Sequence, residues 1–116
     1  MYDHIQMRGQ KISLDKLKPL KFDWDKHNKD KNWEKHKVNF QECEQVFFNR
    51  PLKTLYDKKH SQKEERFVGL GKTDKKRRLV IVFTIRNKKI RAISARNMSQ
   101  KERRLYEQKT QIYSKI

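Results

Sequence analysis

The sequence predicts an α+β fold, a small antiparallel sheet packed by two N-terminal helices and a C-terminal helix, and three observations carry that prediction. The most apolar run, Leu79-Val80-Ile81-Val82-Phe83-Thr84-Ile85, has strand length, is rich in β-branched and aromatic residues, and is bounded by charge clusters, which marks a central strand. Two segments ahead of it open on good helix caps, Asp25 and Asn39. Behind it, Ser99 and Glu102 have the spacing of a capping box, in which each side chain satisfies an orphan backbone N–H of a new helix.

Taken in order, Met1 to Lys21 carries little pattern, and the Lys18-Pro19 step disfavours a helix running through it. This stretch reads as a partly ordered N-terminal extension, with a short helical turn around Leu14 and Leu17, ahead of a single domain spanning 22–116. Phe22-Asp23-Trp24 reads as a short strand entering that domain. The helix from Lys26 to His36 has almost no apolar content apart from Trp33, so Trp24 and Trp33 are expected to attach it. Its wide polar face holds His27, Lys29, Asn32, Lys35 and His36.

In the next helix, begun by Asn39, Glu42 takes the reciprocal capping position, and Val38 and Cys43 are spaced as a hydrophobic staple. Phe40, Cys43 and Phe47 recur at helical spacing with Val46 beside them, which suits this helix to cover the sheet. It ends before Arg50-Pro51. Leu52 to Tyr56 has strand content, and Asp57 to Glu64 is a charged loop containing Lys58, Lys59 and His60. That loop reads either as a solvated connection or as a basic flap beside a groove.

Arg66-Phe67-Val68-Gly69-Leu70-Gly71 opens a meander of three antiparallel strands and leads through a charged turn, Lys72 to Arg78, into the central run. Arg86-Asn87-Lys88-Lys89 supplies a tight connection in which Asn87 tolerates positive φ, and Ile90 to Arg96 returns as the third strand. The capped C-terminal helix is expected to offer Leu105, Tyr106, Ile112 and Tyr113 to the sheet.

Composition narrows the function. A chain of 116 residues with 34% apolar and 39% charged residues supports one thin core. Its 31 Lys and Arg against 14 Asp and Glu leave a net charge of +17, a field that concentrates polyanions and points to nucleic acid first and an acidic protein second. The single cysteine, Cys43, excludes an internal disulfide and a multi-cysteine zinc site. His27 and His36 stand nine positions apart without carboxylates or thiolates in a ligand pattern, so no metal site and no cofactor are expected. No apolar window approaches the ~20 residues that span a bilayer, and no signal-peptide core opens the chain, so the expected compartment is the cytoplasm, without membrane contact.

Phe22-Asp23-Trp24-Asp25 with Asn32 and Lys35-His36, then Glu64-Glu65-Arg66-Phe67, then Ile90-Arg91-Ala92-Ile93-Ser94-Ala95-Arg96 with Glu102-Arg103-Arg104, form an ordered series that resembles the BrnT family of toxins. Phe22-Asp23-Trp24-Asp25, Asn32, Lys35-His36, Val38 and Phe40 are similar to its N-terminal half. His60-Ser61, Glu64-Glu65-Arg66-Phe67 and Gly69-Leu70-Gly71 are similar to its middle. Ile90-Arg91-Ala92-Ile93-Ser94-Ala95-Arg96, Glu102-Arg103-Arg104 and Tyr106-Glu107 are similar to its C-terminal signature. The likeness runs from Phe22 to about Gln108 and departs at Lys37, where the family often has glycine. It implies a RelE-like fold and a metal-independent endoribonuclease toxin of a type II toxin–antitoxin system. It further implies inhibition of translation, neutralisation by a BrnA-like antitoxin, and contact with DNA only through the antitoxin complex.

Metal-free RNA cleavage uses the substrate's 2′-hydroxyl as nucleophile, so the protein has only to move protons and stabilise charge. His36 is the first candidate for proton transfer because it lies in the family-like Lys35-His36 pair, with Lys35 offering charge or a proton. Arg66, Arg91 and Arg96 match the family pattern on strands, and their planar forks suit phosphate binding and transition-state stabilisation. Glu65 is suited to orient an arginine or to act as base, while Lys58, Lys59 and His60 are candidate RNA contacts. The rival readings are structural: His36 as a helix end, Arg91 and Arg96 paired with Glu102 or Glu107, and Glu65 in a surface ion pair. A non-catalytic basic module binding RNA or DNA through phosphates is the alternative function.

Overall fold

A computed structural model of the chain describes residues 5–6, 14, 17–59 and 63–108. Its elements are β1 (Ile5–Gln6), which was not expected, and then, in the expected order, α1 (Lys26–His36), α2 (Phe40–Phe48), β2 (Lys53–Asp57), β3 (Phe67–Lys72), β4 (Arg78–Arg86), β5 (Lys89–Asn97) and α3 (Gln100–Glu107). Strands β2 to β5 form an open antiparallel sheet in chain order, and the two-residue β1 pairs with the outer side of β2. Ile112, Tyr113 and His60 lie outside the described residues.

All three helices start on capping boxes, Asp25 with Asn28, Asn39 with Glu42, and Ser99 with Glu102. Each is a purely local solution to unpaired amides, which is why a short sequence window suffices to find it. The hairpin between β4 and β5 turns on Asn87 and Lys88, at φ 53° and 63°, the two positive angles that a two-residue turn of this hand requires.

The sheet separates two apolar clusters. On one face α2 and the residue ahead of its cap cover Leu79, Ile81, Phe83, Ile90, Ala92 and Ala95 with Val38, Cys43, Val46 and Phe47. Burial there pushes the Cys43 thiol up to about 12, so it is neutral packing material. Close contact between α2 and β3 depends on Gly71, where a Cβ would stand 2.6 Å from Val46 Cγ1. On the other face α3 covers a smaller cluster, Leu55, Val68, Leu70 and Val80 with Met98 and Tyr106.

The wholly buried Lys53 of β2 reaches under α3, where its ammonium donates to the Leu105 carbonyl oxygen at 3.1 Å and to that of Gln108. A cation there faces the negative end of the helix dipole and satisfies carbonyls that have no partner within the helix.

Three details depart from expectation. Phe22 makes a single parallel bridge to Ile90 in place of a strand, with Asp23 N–H donating to Ile90 O and Ile90 N–H donating to Lys21 O, both at 2.8 Å. Leu14, in the segment read as an extension, is wholly buried in the larger cluster and accepts a hydrogen bond from Leu17 N–H, forming the expected turn. Helix α1 is attached by Asn28 and Asn32, while Trp33 stays 49% exposed. Asn28 Nδ2 donates to Ala92 O at 3.1 Å and Asn32 Oδ1 accepts from Ala95 N–H at 3.1 Å, so two amides satisfy the otherwise open edge of β5.

Candidate functional site

The pairing of β4 with β5 slips once: Val82 faces Ser94 but Phe83 faces Ala92, leaving Ile93 as an extra residue in β5. In a regular strand, Arg91 and Arg96, five positions apart, would point to opposite faces. The bulge reverses the alternation between them, so both share the α3 face, Arg96 opposite Val80 and Arg91 opposite Thr84. Arg66 extends the β3 ladder by one position, its carbonyl accepting from Asp57 N–H at 2.9 Å, which sets it on the same face beside Thr84.

A row of polar side-chain positions therefore crosses one end of the sheet: Asp57, Arg66, Thr84, Arg91 and, beyond the β5 edge, Asp23. Neighbouring strands lie about 4.8 Å apart, so Arg66 and Arg91 flank Thr84 at a backbone separation of roughly 10 Å, a span that two long side chains can close onto one phosphate. Arg96 stands four residues further along, roughly 13 Å away at ~3.3 Å per residue.

The two β5 arginines have different partners. Arg91 Nη2 is 2.9 Å from Asp25 Oδ2 and Nη1 is 3.5 Å from Asp23 Oδ1, with 52% and 32% of those acid side chains exposed. The Asn28 amide chiefly, and the Arg91 guanidinium in addition, hold the Asp25 carboxyl below its usual range against the opposing effect of desolvation. Arg96 forms a bidentate pair with Glu102, at 2.7 and 2.8 Å, and Glu102 is wholly buried. The same Glu102 Oε1 accepts the Ser99 N–H at 2.7 Å, so Arg96 is tied to the cap of α3.

The remaining sequence-predicted residues divide between the two ends. Lys58 and Lys59 follow β2 as exposed residues, and Glu65 is exposed next to Arg66, its carbonyl accepting the Thr84 hydroxyl at 2.6 Å. These three belong to the Arg66–Arg91 end. Lys35 and His36 are exposed in the last turn of α1, roughly 16 Å along its axis from Asp25 at 1.5 Å per residue. The fold does not gather them with Arg66 and Arg91.

Arg77, which drew no attention in the sequence, organises the His36 end. Its guanidinium donates to the carbonyls of His36 and Lys37 at 3.1 and 2.8 Å, to Glu42 and to Asn97. This grip accompanies the left-handed Lys37, φ 54°, which closes α1 without glycine as Val38 N–H donates to Asn32 O. Thr84 was also missed; its signal is a lone hydroxyl inside the apolar run. Asp23 and Asp25 carry no signal as arginine partners, because their pairing joins residues 66 or more positions apart.

Among the described residues no three His, Cys, Asp or Glu side chains are grouped as metal ligands, and no helix is long and apolar enough to cross a membrane. No curated protein matches the chain. Residues 24–102, more than half of its length, match the model of a family described as the ribonuclease toxin, BrnT, of type II toxin–antitoxin systems. That span runs from Trp24 through the bulged strand to Glu102, and the chain therefore belongs to the BrnT family of ribonuclease toxins.

Proposed function

We propose that this chain is a cytoplasmic endoribonuclease that cleaves RNA without a metal, by attack of the substrate's 2′-hydroxyl on the adjacent phosphate, and thereby inhibits translation. A cognate, BrnA-like antitoxin neutralises it by laying an acidic surface over the cationic one, and DNA is met only through that complex. The observation that supports this reading is the shared face of Arg66, Arg91 and Arg96, with the Thr84 hydroxyl between the first two.

The scissile phosphate sits between Arg66 and Arg91, whose forks stabilise the charge that builds on the phosphorane. Asp23 and Asp25 hold Arg91 in place until phosphate takes over the outward part of its hydrogen bonding. Glu65, adjacent to Arg66, accepts the 2′-hydroxyl proton, and the 5′-oxygen leaves as a hydroxyl with a proton taken from water as the cyclic phosphate forms. Lys58 and Lys59 track the strand on one side. Arg96, Lys35 and His36 meet it further along.

The test is purified protein on labelled RNA in the presence of chelator, beside the same RNA with a single 2′-deoxy sugar at the cut position. The expected result is cleavage of the first and none of the second, with equal binding. Binding without cleavage of either would leave a non-catalytic module, and cleavage of the deoxy substrate would overturn the mechanism.

A further inference from the structure

Helix α1 presents an aromatic ring that the fold does not need. Asn28 and Asn32 make its attachments to β5, and Trp33, about 100° further round the helix than Asn32, remains 49% exposed. Positions three and four residues away on a helix are its surface neighbours, which here are Lys29, Asp30, His36 and Lys37. The Lys37 ammonium lies 5.3 Å from the Trp33 ring centroid, and that of Lys29 sits 4.2 Å from the Phe40 centroid.

Counting both of its caps, the helix carries Lys26, Lys29, Lys31, Lys35 and Lys37 against Asp25, Asp30 and Glu34. Trp33 is the only apolar side chain in it. A protein partner would want a contiguous apolar patch with few charges at its centre. One ring framed by cations suits a planar base on an anionic backbone, the combination by which single strands are held without sequence readout. The position fits as well. Helix α1 borders β5, and Trp33 lies eight residues, roughly 12 Å along the helix axis, from Asp25, so a strand held at Arg91 has to run along α1 past that edge before it meets this ring.

We propose that Trp33, with Lys29 and Lys37 beside it, is a stacking platform for an unpaired base of the RNA substrate outside the cleavage position, so that the enzyme requires single-stranded RNA extending past the cut. This rests on the ribonuclease reading above for the identity of the strand.

The experiment titrates the intact protein with a single-stranded 2′-O-methyl oligoadenylate, which resists attack through the 2′-oxygen, and follows tryptophan fluorescence and affinity together. Wild type is expected to show quenching on binding. Trp33→Ala is expected to lose the quenching and bind roughly tenfold more weakly, while Trp33→Phe keeps most of the affinity because its ring still stacks. Affinity unchanged in Trp33→Ala overturns the platform, and if that variant instead loses capture by the antitoxin, the surface belongs to protein. Weakened oligonucleotide binding by Trp33→Ala in a protein whose wild type cuts no RNA keeps the platform and removes the nuclease reading. Normal cleavage by wild type with an indifferent Trp33→Ala does the reverse.

Discussion

The two arginines of β5 share one face of the sheet yet are held in opposite ways. Arg96 is locked to a wholly buried carboxylate that also caps α3, whereas Arg91 leans on two carboxylates that water still reaches. A pair whose acid is desolvated resists exchange, because removing the arginine strands a charge in a low-dielectric site. The Arg91 pairs have carboxylates that water reaches but a guanidinium only 13% exposed, so they are weaker ties than a desolvated carboxylate makes and stand between a surface pair and a buried one. The Arg96 end therefore reads as structure and the Arg91 end as the place where chemistry is possible.

That contrast is broken or sharpened first by stability. Arg96→Ala should cost about 3 kcal/mol in urea unfolding, and Arg91→Ala no more than about 1 kcal/mol. Equal costs would erase the distinction. Activity should run the other way. Arg91→Ala is expected to lower cleavage about 100-fold, or ~2.7 kcal/mol of transition-state stabilisation, with the fold intact by circular dichroism.

Proton transfer gives a smaller and sharper comparison. Glu65→Gln should reduce cleavage by at least about tenfold while leaving RNA binding unchanged. His36→Ala should weaken both modestly and in parallel. A selective loss of cleavage in His36→Ala would move the chemistry to the Arg96 end.

The smallest effect is electrostatic. The folded-state pKa of Asp25 is depressed below the ordinary aspartate value, so its charge contributes stability that is present above that ordinary value and is lost as pH falls through the depressed one. Asp25→Asn, which keeps a capping side chain, should melt below wild type at neutral pH and converge with it in acid. A gap that persists in acid would show that hydrogen-bond geometry, and not charge, is what Asp25 supplies.

How much of this was readable beforehand depends on the range of each interaction. The N-cap at Asp25, the capping boxes at Asn39 and Ser99, the turn at Asn87 and the strand at Leu79–Ile85 were expected and are present, since each is decided within a few residues. The Arg96–Glu102 pair, six positions apart, was among the rival readings set beside the phosphate-binding role of Arg96. Trp33 misled because a lone aromatic in a polar helix looks like an anchor, and nothing local reveals that Asn28 and Asn32 reach β5 across 64 and 63 positions. The His36 assignment came from the family-like pair, which says nothing about distance to the arginines.

By itself the sequence determined the element order, the helix starts, the excess of positive charge and the stock of arginines, all of which follow from local hydrogen bonding and composition. Only the tertiary structure decided that Arg91 and Arg96 face the same way, because a single extra residue in β5 inverts the alternation and that slip exists only against the partner strand. It also decided how each arginine is held, since that rests on how far water reaches Asp23, Asp25 and Glu102, and water access is a property of the packed chain.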